Sequence, residues 1–356
     1  AVTARVCVGR VVTSLDEHRM WLEIFFPEVK MHRLLRLGVL VPVLAVSLVW
    51  PAARASAAES RKFVMGYSTV GAMAAGMWMA KEIGAYEKYG IDAELIYISS
   101  GPTVVQALIG GDVVGGVAAT NAVIAAVLRG APLVSVLSTC NRPYHRLWVQ
   151  PEIKTFDDLK GKVLGVTRFG SVTDNLTRMV LKKYGLESSV QVRQMGGTLE
   201  VGAAFQNKQI AGAVTSSLRV GEKIQPRLLA KLDDQGFQYS MDVIAHARDD
   251  LKKFPNVVDG MVRAYTEGVA AMHFQKERAY RAIAKYARSR DQKQIDEIYQ
   301  DSIIYLEKTP RVEPESINSI LEFMGKRGVP LETFADNSIV DKMVREGFID
   351  RLYKRP

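Results

Sequence analysis

The fold class is decided by residues 62–99, which run KFVMGYSTVGAMAAGMWMAKEIGAYEKYGIDAELIYIS. The first six residues form an apolar run that predicts a β-strand. Apolar side chains then recur at helical spacing over about 74–89, and Gly90 ends this segment as glycine commonly ends a helix. A second strand is predicted over 91–99. The stretch therefore predicts a strand–helix–strand unit.

The same alternation continues along the chain. Further strands are predicted over 113–118, 133–137, 163–167, 190–193, 211–214, 228–232 and 243–247. Helices are predicted between them over 101–110, 120–128, 170–184 and 199–207. Strands and helices that alternate at short spacing are typical of a parallel α/β sheet. After about Met241 the pattern is mostly helical, with segments predicted near 256–274, 276–287, 291–306, 314–327 and 339–346.

Small polar residues follow several predicted strands, at the point where each strand leads into a helix. In parallel α/β sheets ligands lie at this edge, beside helix N-termini whose free N–H groups attract acceptor atoms and anions. Helix capping alone would also favour these residue types. The residues that we expect to contact a ligand are Ser68, Thr69, Val70, Gly71, Ser100, Gly101, Thr120, Asn121, Arg168, Gly170, Ser171, Thr173 and Thr215.

Arginines and aromatic residues near these loops suggest what the ligand could be. Arg168 directly follows a predicted buried strand, so its guanidinium could hold a sulfonate or carboxylate bidentately beside the Ser171 helix end. The alternative is a surface arginine that pairs with an acidic residue. Arg142 has a similar but weaker claim. Four aromatic residues near strand ends would either stack on a ring or pack in the protein: Tyr67, Tyr144, Trp148 and Phe169.

Residues 31–58 have the three parts of an export signal. A short basic start at 31–36 precedes the almost wholly apolar 37–50, and 51–58 supplies small residues in the Ala-x-Ala spacing of a cleavage site. A helix of those 14 apolar residues would reach roughly 21 Å, short of the about 30 Å hydrocarbon layer. An uncleaved anchor is the alternative.

This signal predicts a periplasmic protein. Residues 1–30 contain nothing that would direct export, and we expect them to be a non-native upstream segment. The mature N-terminus is expected near Ala58 or Glu59.

The composition argues against several classes of function. The chain of 356 residues has 47 basic and 38 acidic side chains, a net charge of +9 without long basic runs, so it gives little support to nucleic-acid binding. Cys140 is the one cysteine after the leader, which excludes an internal disulfide. No zinc, redox or nucleotide-binding motif occurs, and His145, His246 and His273 lack metal-ligand spacing. We therefore expect no metal, no cofactor and no catalytic residue.

Three segments, taken together and in order, resemble one protein family. IGAYEKYGIDAEL at 83–95 is similar to its "G-x-(Y/F)-x-K-x-G-(I/L)-D-(V/A)-E-(L/I)" segment. Residues 101–112 resemble its "ALxxGxvD" segment, and 153–171 resemble its "D-L-K-G-K-x-(V/I)-G-V…G-S" segment. The family is the nitrate/sulfonate/taurine-type ABC-transporter substrate-binding proteins, which includes binders of thiamine-pyrimidine precursors. The likeness covers nearly all of residues 62–350.

The resemblance implies an α/β protein with the type 2 periplasmic binding fold. Two lobes, 59–150 with 242–356 and 151–241, would be joined by two crossover segments, and the C-terminal part would be helical. The ligand would lie in the cleft between the lobes, whose closure creates the form that a permease recognises. The implied function is that of a monomeric receptor, not an enzyme, which delivers a small anionic or aromatic ligand of the sulfonate/taurine/nitrate-like class to an ABC importer.

Two other functions remain open. An enzyme of thiamine-pyrimidine synthesis would share this fold, although the export signal and the absence of a histidine-rich motif count against it. A receptor that feeds a membrane sensor would need the same closing cleft. The fold indicates where a ligand binds better than which ligand binds. Small anions, aromatic sulfonates, aromatic acids and pyrimidines are all compatible with the sequence.

Overall fold

The computed structural model describes residues 62–354, apart from 217, 219, 222, 223 and 237. The predicted upstream segment, export signal and cleavage point lie outside these residues. The strands are β1 (Lys62–Tyr67), β2 (Asp92–Tyr97), β3 (Gly115–Ala119), β4 (Leu133–Ser138), β5 (Arg146–Val149), β6 (Val163–Val166), β7 (Gln191–Gln194), β8 (Gly212–Thr215), β9 (Arg227–Lys231) and β10 (Asp242–Ala247).

Helices follow most of these strands and make up nearly all of the C-terminal part. They are α1 (Ala72–Glu82), α2 (Ala85–Lys88), α3 (Gly101–Gly110), α4 (Thr120–Val127), α5 (Val172–Lys183), α6 (Thr198–Gln206), α7 (Asp250–Lys253), α8 (Pro255–Phe274), α9 (Lys276–Tyr286), α10 (Gln292–Tyr305), α11 (Pro314–Phe323), α12 (Ser338–Arg345) and α13 (Phe348–Tyr353). In the described part of the chain, none of the helices has the length and hydropathy needed to cross a bilayer.

The first sheet has the strand order β2–β1–β3–β10–β4. Strand β1 is parallel to both of its neighbours, β2 and β3. Strand β10 runs antiparallel between β3 and β4, and it places Asp242 opposite Ala119. Because β10 is reversed, its amino end lies at the same edge of the sheet as the carboxyl ends of β1 and β3.

The second sheet repeats this arrangement with the strand order β7–β6–β8–β5–β9. Strand β6 is parallel to β7 and β8, and β5 runs antiparallel between β8 and β9. Arg146, at the start of β5, is opposite Thr215 at the end of β8. Each sheet therefore brings the start of one reversed strand to the edge where its parallel strands end.

The structure confirms the α/β class and corrects several elements. The helix predicted over 74–89 is two helices, because Gly84 adopts the left-handed conformation, with φ of 74°, between α1 and α2. Strands β5 and β10 are antiparallel, whereas the alternation of strands and helices predicted a parallel sheet. The sequence did not predict β5, since four residues are too few to show a strand's alternation.

Helix α1 is buried along most of its length and packs against α8. Two glycines hold the helices close together. A Cβ atom at Gly268 would lie 2.2 Å from the Gly76 carbonyl oxygen, and one at Gly76 would lie 2.7 Å from the Val269 side chain. Both distances are below van der Waals contact, so no larger side chain fits at either position without moving a helix.

Replacement of Gly268 by Ala should therefore lower the free energy of unfolding by about 1–3 kcal/mol through overpacking. Gly110→Ala is the matched control, because its Cβ would meet only the Asp112 carboxylate at 3.4 Å. Alanine costs less entropy than glycine in a helix, so the control should be neutral or slightly stabilising. Urea unfolding of both variants measures the difference, and equal stabilities would contradict this account of the α1–α8 contact.

Candidate functional site

A small cavity, with a volume of about 40 Å³, lies where loops from both sheets meet. From the first sheet come the loops after β1 and β2, the last residue of β3 and the first residue of β10. From the second sheet come the loops after β6 and β8, the residue before β5 and the start of α6. The lining residues are Ser68, Thr69, Ser100, Gly101, Ala119, His145, Thr167, Ser171, Val172, Thr173, Thr198, Thr215, Ser216 and Asp242.

The cavity brings together residues from four of the five loops that the sequence singled out as ligand contacts. The predicted residues that line it are Ser68, Thr69, Ser100, Gly101, Ser171, Thr173 and Thr215. They come together because the carboxyl ends of the parallel strands in the two sheets face a common space. Whether they touch a ligand stays a prediction, but their convergence is a property of the structure.

The other predicted residues lie beside the cavity and not in its wall. Val70, Gly71 and Thr120 are buried behind the lining residues, and the Thr120 hydroxyl lies 3.0 Å from that of Ser240. Asn121 Nδ2 donates to the Gly170 carbonyl oxygen at 2.8 Å, a contact between α4 of the first sheet and the loop before α5 of the second. Asn121 and Gly170 therefore hold the two parts of the cavity together.

Gly101 determines how closely α3 approaches the first sheet. A Cβ atom at this position would lie 2.3 Å from the Cβ of Ala119 and 2.7 Å from its backbone nitrogen. Only glycine permits this approach, because the contact is with backbone as well as with a side chain. The start of α3 is therefore held against the end of β3, at the wall of the cavity.

Hydroxyl groups of the second sheet form a connected network at the cavity wall. The Thr173 hydroxyl lies 2.9 Å from that of Ser171 and 3.1 Å from that of Thr167, and it accepts the Thr167 backbone N–H at 2.9 Å. Ser171 also caps α5 by accepting the N–H of Asp174 at 3.2 Å. These bonds fix the side chains in place, so the wall is preorganised for a polar ligand.

Asp242 is the one charged residue among the fourteen that line the cavity. Its relative exposure is 5%, and among the described residues no group donates a hydrogen bond to its carboxylate. Burial raises the pKa of this carboxyl to about 7, because the charged form loses its hydration. The backbone oxygen of Asp242, by contrast, accepts two hydrogen bonds from Thr139.

His145 faces the same cavity as an uncharged ring. It is 7% exposed, and burial together with the Arg146 charge lowers the pKa of its imidazole to about 3. Its Nδ1 is buried without a hydrogen-bond partner among the described residues. The imidazole therefore brings to the cavity a polar ring without a positive charge.

Three described arginines near the cavity form their contacts with other groups of the protein. Arg146 forms a two-bond pair with the Asp301 carboxylate, at 2.7 and 2.9 Å, and also donates to the Ser216 carbonyl oxygen. Arg168 is exposed, and its Nη2 reaches the Ser99 hydroxyl at 3.4 Å. Arg142 donates to the Ile304 carbonyl oxygen and lies over the Tyr305 ring. None of the three lines the cavity.

The four aromatic candidates also lie outside the lining. Tyr67 packs edge-on against Trp78. Tyr144 packs between His145 and Tyr305. Phe169 is 49% exposed, and Trp148 lines a separate groove. Core or surface packing accounts for each of them, as the alternative reading of the sequence allowed.

Sequence reasoning missed the residues that give the cavity its electrostatic character. Asp242 begins a strand that was predicted from Val243 onward, and His145 was considered only as a metal ligand. The missing signal was strand direction. A residue at the start of a reversed strand lies beside the ends of parallel strands, so Asp242 and His145 would have been candidates if β10 and β5 had been recognised as antiparallel.

The comparisons with known proteins agree with this architecture. A family model described as NMT1/THI5 like matches residues 72–279. The chain belongs to the NMT1/THI5-like family. Its curated relatives include a protein of Brucella abortus (strain 2308), named as a candidate binding protein, which is 35% identical over 136 residues. That match covers 38% of this chain and spans 41% of the Brucella protein's length.

A more distant relative carries the name of an enzyme. The 4-amino-5-hydroxymethyl-2-methylpyrimidine phosphate synthase of Schizosaccharomyces pombe is 24% identical over 281 residues, which cover 73% of this chain and 80% of the synthase. The curated proteins similar to this chain thus include one named for binding and one named for synthesis.

Solved structures show the fold. A ligand-binding component of an ABC-type import system from Staphylococcus aureus, solved with zinc, gives a TM-score of 0.66 at 16% identity, covering 79% of this chain and 98% of that one. The alkanesulfonate-binding protein SsuA of Xanthomonas axonopodis gives 0.60 at 18% identity, covering 84% and 96%. The nitrate-binding protein NrtA of Synechocystis gives 0.59 at 15%, covering 84% and 90%.

These neighbours confirm the periplasmic binding protein fold that the resemblance implied. Within the described residues, no group of three or more His, Cys, Asp or Glu side chains could hold a metal ion such as the zinc of the Staphylococcus structure.

Loss of the Asn121 side chain should loosen the contact between the two sheets. Asn121→Ala removes the hydrogen bond to Gly170, and a bond of this kind contributes about 0.5–1.5 kcal/mol. Amide hydrogen exchange over residues 168–175 should therefore be about 2–10 times faster. The exposed Asn256→Ala is the control, and unchanged exchange in Asn121→Ala would contradict a closing role for this contact.

The buried carboxylate also predicts a pH dependence of stability. The pKa of Asp242 is about 7 in the folded protein and about 3.9 in the unfolded chain, so its favourable contribution is complete below pH 4 and is lost as the pH rises to 7. Asp242→Asn does not titrate at this position, so only the wild type loses this contribution as the pH rises. The melting temperature of the variant minus that of the wild type should therefore be at least about 3 °C larger at pH 8 than at pH 5.

His145 titrates in both the wild type and Asp242→Asn, so its effect cancels when their melting temperatures are subtracted. The exposed Asp112→Asn serves as a control and should show no such trend. An Asp242→Asn difference that is the same at pH 5 and pH 8 would show that the carboxyl is not buried as described.

Proposed function

We propose that this protein is a periplasmic receptor that captures a small polar organic molecule in the cavity between its two sheets and delivers it, unaltered, to an ABC importer. The observation that carries the proposal is the cavity itself, whose wall is assembled from strand ends of both sheets and is closed by contacts between them. A ligand held in this way would stabilise the closed form that a permease recognises.

The fold and the relatives support this function. The structural neighbours named above bind an alkanesulfonate or nitrate, or are components of an import system, and the Brucella relative is named for binding. We propose two lobes, with the ligand between them, that follow the implied boundaries of 59–150 with 242–356 and 151–241 except at β5. Because β5 pairs within the second sheet, residues 146–149 belong with the second lobe.

The two crossovers of this receptor would lie on either side of the second lobe. One would pass through Asn141, just before β5, and the other through Ser240, just before β10. Both regions form hydrogen bonds with the first sheet or its helices: Asn141 with Glu307 and Arg311, and Ser240 with Thr120 and Ser138. A monomer of this design needs no second copy to complete its cavity.

An enzyme is the second candidate, because one relative is named as a synthase. Asp242, with a pKa of about 7, is the lining group that could transfer a proton near neutral pH, and the neutral His145 could accept a hydrogen bond. The predicted export signal at 31–58 favours the receptor, since an exported protein works without the cofactors of the cytosol. A receptor coupled to a membrane sensor in place of a permease would use the same cavity.

Expression of the full chain in a Gram-negative host tests the proposal. We expect the protein in the periplasmic fraction, with an N-terminus at Ala58 or Glu59. Native mass spectrometry should detect a co-purified molecule, or a thermal-shift panel of taurine, ethanesulfonate, nitrate, acetamide and acetamidine should raise the melting temperature. A ligand at 100 times its dissociation constant adds about 2.7 kcal/mol of stability.

The bound molecule should be recovered chemically unchanged after denaturation. Conversion of the molecule into a product would support the enzyme. Retention of Ala1 or Met31 at the N-terminus, or the absence of any bound molecule or stabilising probe, would contradict an exported receptor.

A further inference from the structure

The charge distribution around the cavity indicates which end of a ligand it would receive. Asp242 is the charged residue of the lining, and its carboxylate has no hydrogen-bond or ion-pair partner among the described residues. Burying a carboxylate without a partner is unfavourable, so such a group is usually matched by a ligand or by a cation. The described residues supply neither a cation nor a hydrogen-bond donor to this carboxylate.

Among the described residues, the positive side chain next to His145 is already paired with another group. Arg146, which adjoins His145, holds the Asp301 carboxylate in two bonds and the Ser216 carbonyl oxygen in a third. His145 is neutral over the physiological pH range. Burial and the nearby Asp242 raise the pKa values of Tyr144 and Tyr239. Both phenols therefore stay neutral and cannot neutralise the Asp242 charge. An anion that entered the cavity would therefore meet a carboxylate that no described side chain compensates.

Helix N-termini at the cavity offer less to an anion than the sequence suggested. Helix α5 carries Asp174 in its first turn, and that carboxylate accepts the Gly170 N–H at 2.8 Å and pairs with Arg178 at 2.7 Å. The positive end of this helix is thus matched within the protein. Helix α3 has no acidic residue in its first turn, so an acceptor atom of the ligand could lie at Ser100 and Gly101.

We propose that Asp242 determines the specificity of this cavity by pairing with N–H donors of the ligand, so that the ligand presents an amidinium- or guanidinium-like group, or a neutral amide, and not a sulfonate or nitrate. The two oxygens of a carboxylate match two parallel N–H donors on a planar nitrogen group. The unpartnered Nδ1 of His145 can accept a further donor when its proton is on Nε2. This proposal rests on the receptor function proposed above.

The size of the cavity limits which part of a ligand can reach Asp242. A volume of about 40 Å³ accommodates a group of only a few heavy atoms, since one water needs about 10–15 Å³ on the same measure. Acetamidinium, acetamide and acetate have the same four-atom planar shape and carry charges of plus one, zero and minus one. They therefore test the charge and the donors of the ligand without changing its size.

The experiment measures dissociation constants of the three compounds by thermal shift of the full-length protein at pH 7.5 and constant ionic strength. Acetamidine should bind at least tenfold more tightly than acetate, with acetamide between them. Asp242→Asn should weaken acetamidine binding at least tenfold and should remove most of the preference over acetate. The exposed Asp112→Asn, which keeps the cavity intact, should bind all three compounds like the wild type.

The wild-type ranking alone already tests the proposal if Asp242→Asn does not fold. Tighter binding of acetate, ethanesulfonate or nitrate than of acetamidine would overturn the assignment while leaving the receptor function intact. Absence of acetamidine binding at 50 mM, or equal acetamidine binding by wild type and Asp242→Asn, would overturn it as well. Failure of the receptor function would be seen separately, as conversion of the bound molecule or as the absence of any ligand.

Discussion

The reversed insertion of β10 between β3 and β4 is the constraint on which the cavity depends. It aligns Asp242 with Ala119, so a strand that returns from the second sheet begins where the parallel strands of the first sheet end. Strand β5 does the same in the second sheet, where it aligns Arg146 with Thr215. Asp242 and Arg146 could not lie elsewhere without loss of the hydrogen bonds between the strands, which fix strand register.

This topology has an energetic consequence for the site. A carboxylate at the start of β10 is enclosed by both sheets, and burial raises its pKa to about 7. Ionisation of Asp242 therefore destabilises the folded protein as the pH rises through 7, and functional sites often retain groups of this kind. Arg146 and Asp301, by contrast, match each other across the boundary between β5 and α10 and leave no net charge. Asp301 is thus neutralised within the structure, whereas Asp242 is the group that we propose pairs with a ligand.

The sequence predicted the architecture well because its signals are local. Strand–helix alternation, glycines at helix ends and hydroxyl residues after strands depend on neighbours in the chain, and most strands and helices lie within a few residues of their predicted places. The convergence of Ser68, Ser100 and Ser171 on one cavity follows from the edge rule for parallel sheets. Gly84 was one exception, because its left-handed backbone divides what the apolar spacing indicated as one helix.

The chemistry of the cavity was not predictable by the same means. Arg168 was a reasonable candidate for anion binding, but its side chain lies at the surface because no local signal fixes the direction of a loop arginine. Asp242 and His145 owe their place to strand direction, and an isolated strand of four to six residues carries no sign of whether its neighbours are parallel. Side-chain burial and long-range pairing, which decide pKa values and ligand class, depend on the three-dimensional arrangement.

A crystal structure of the protein as purified from the periplasm, together with the molecule that co-purifies, tests the central claim most directly. The account requires that molecule to lie between the two sheets, with a nitrogen atom within hydrogen-bond distance of the Asp242 carboxylate and both sheets in contact with it. A ligand bound in the surface groove beside Trp148, or one that directs an anionic group at Asp242, would contradict the account.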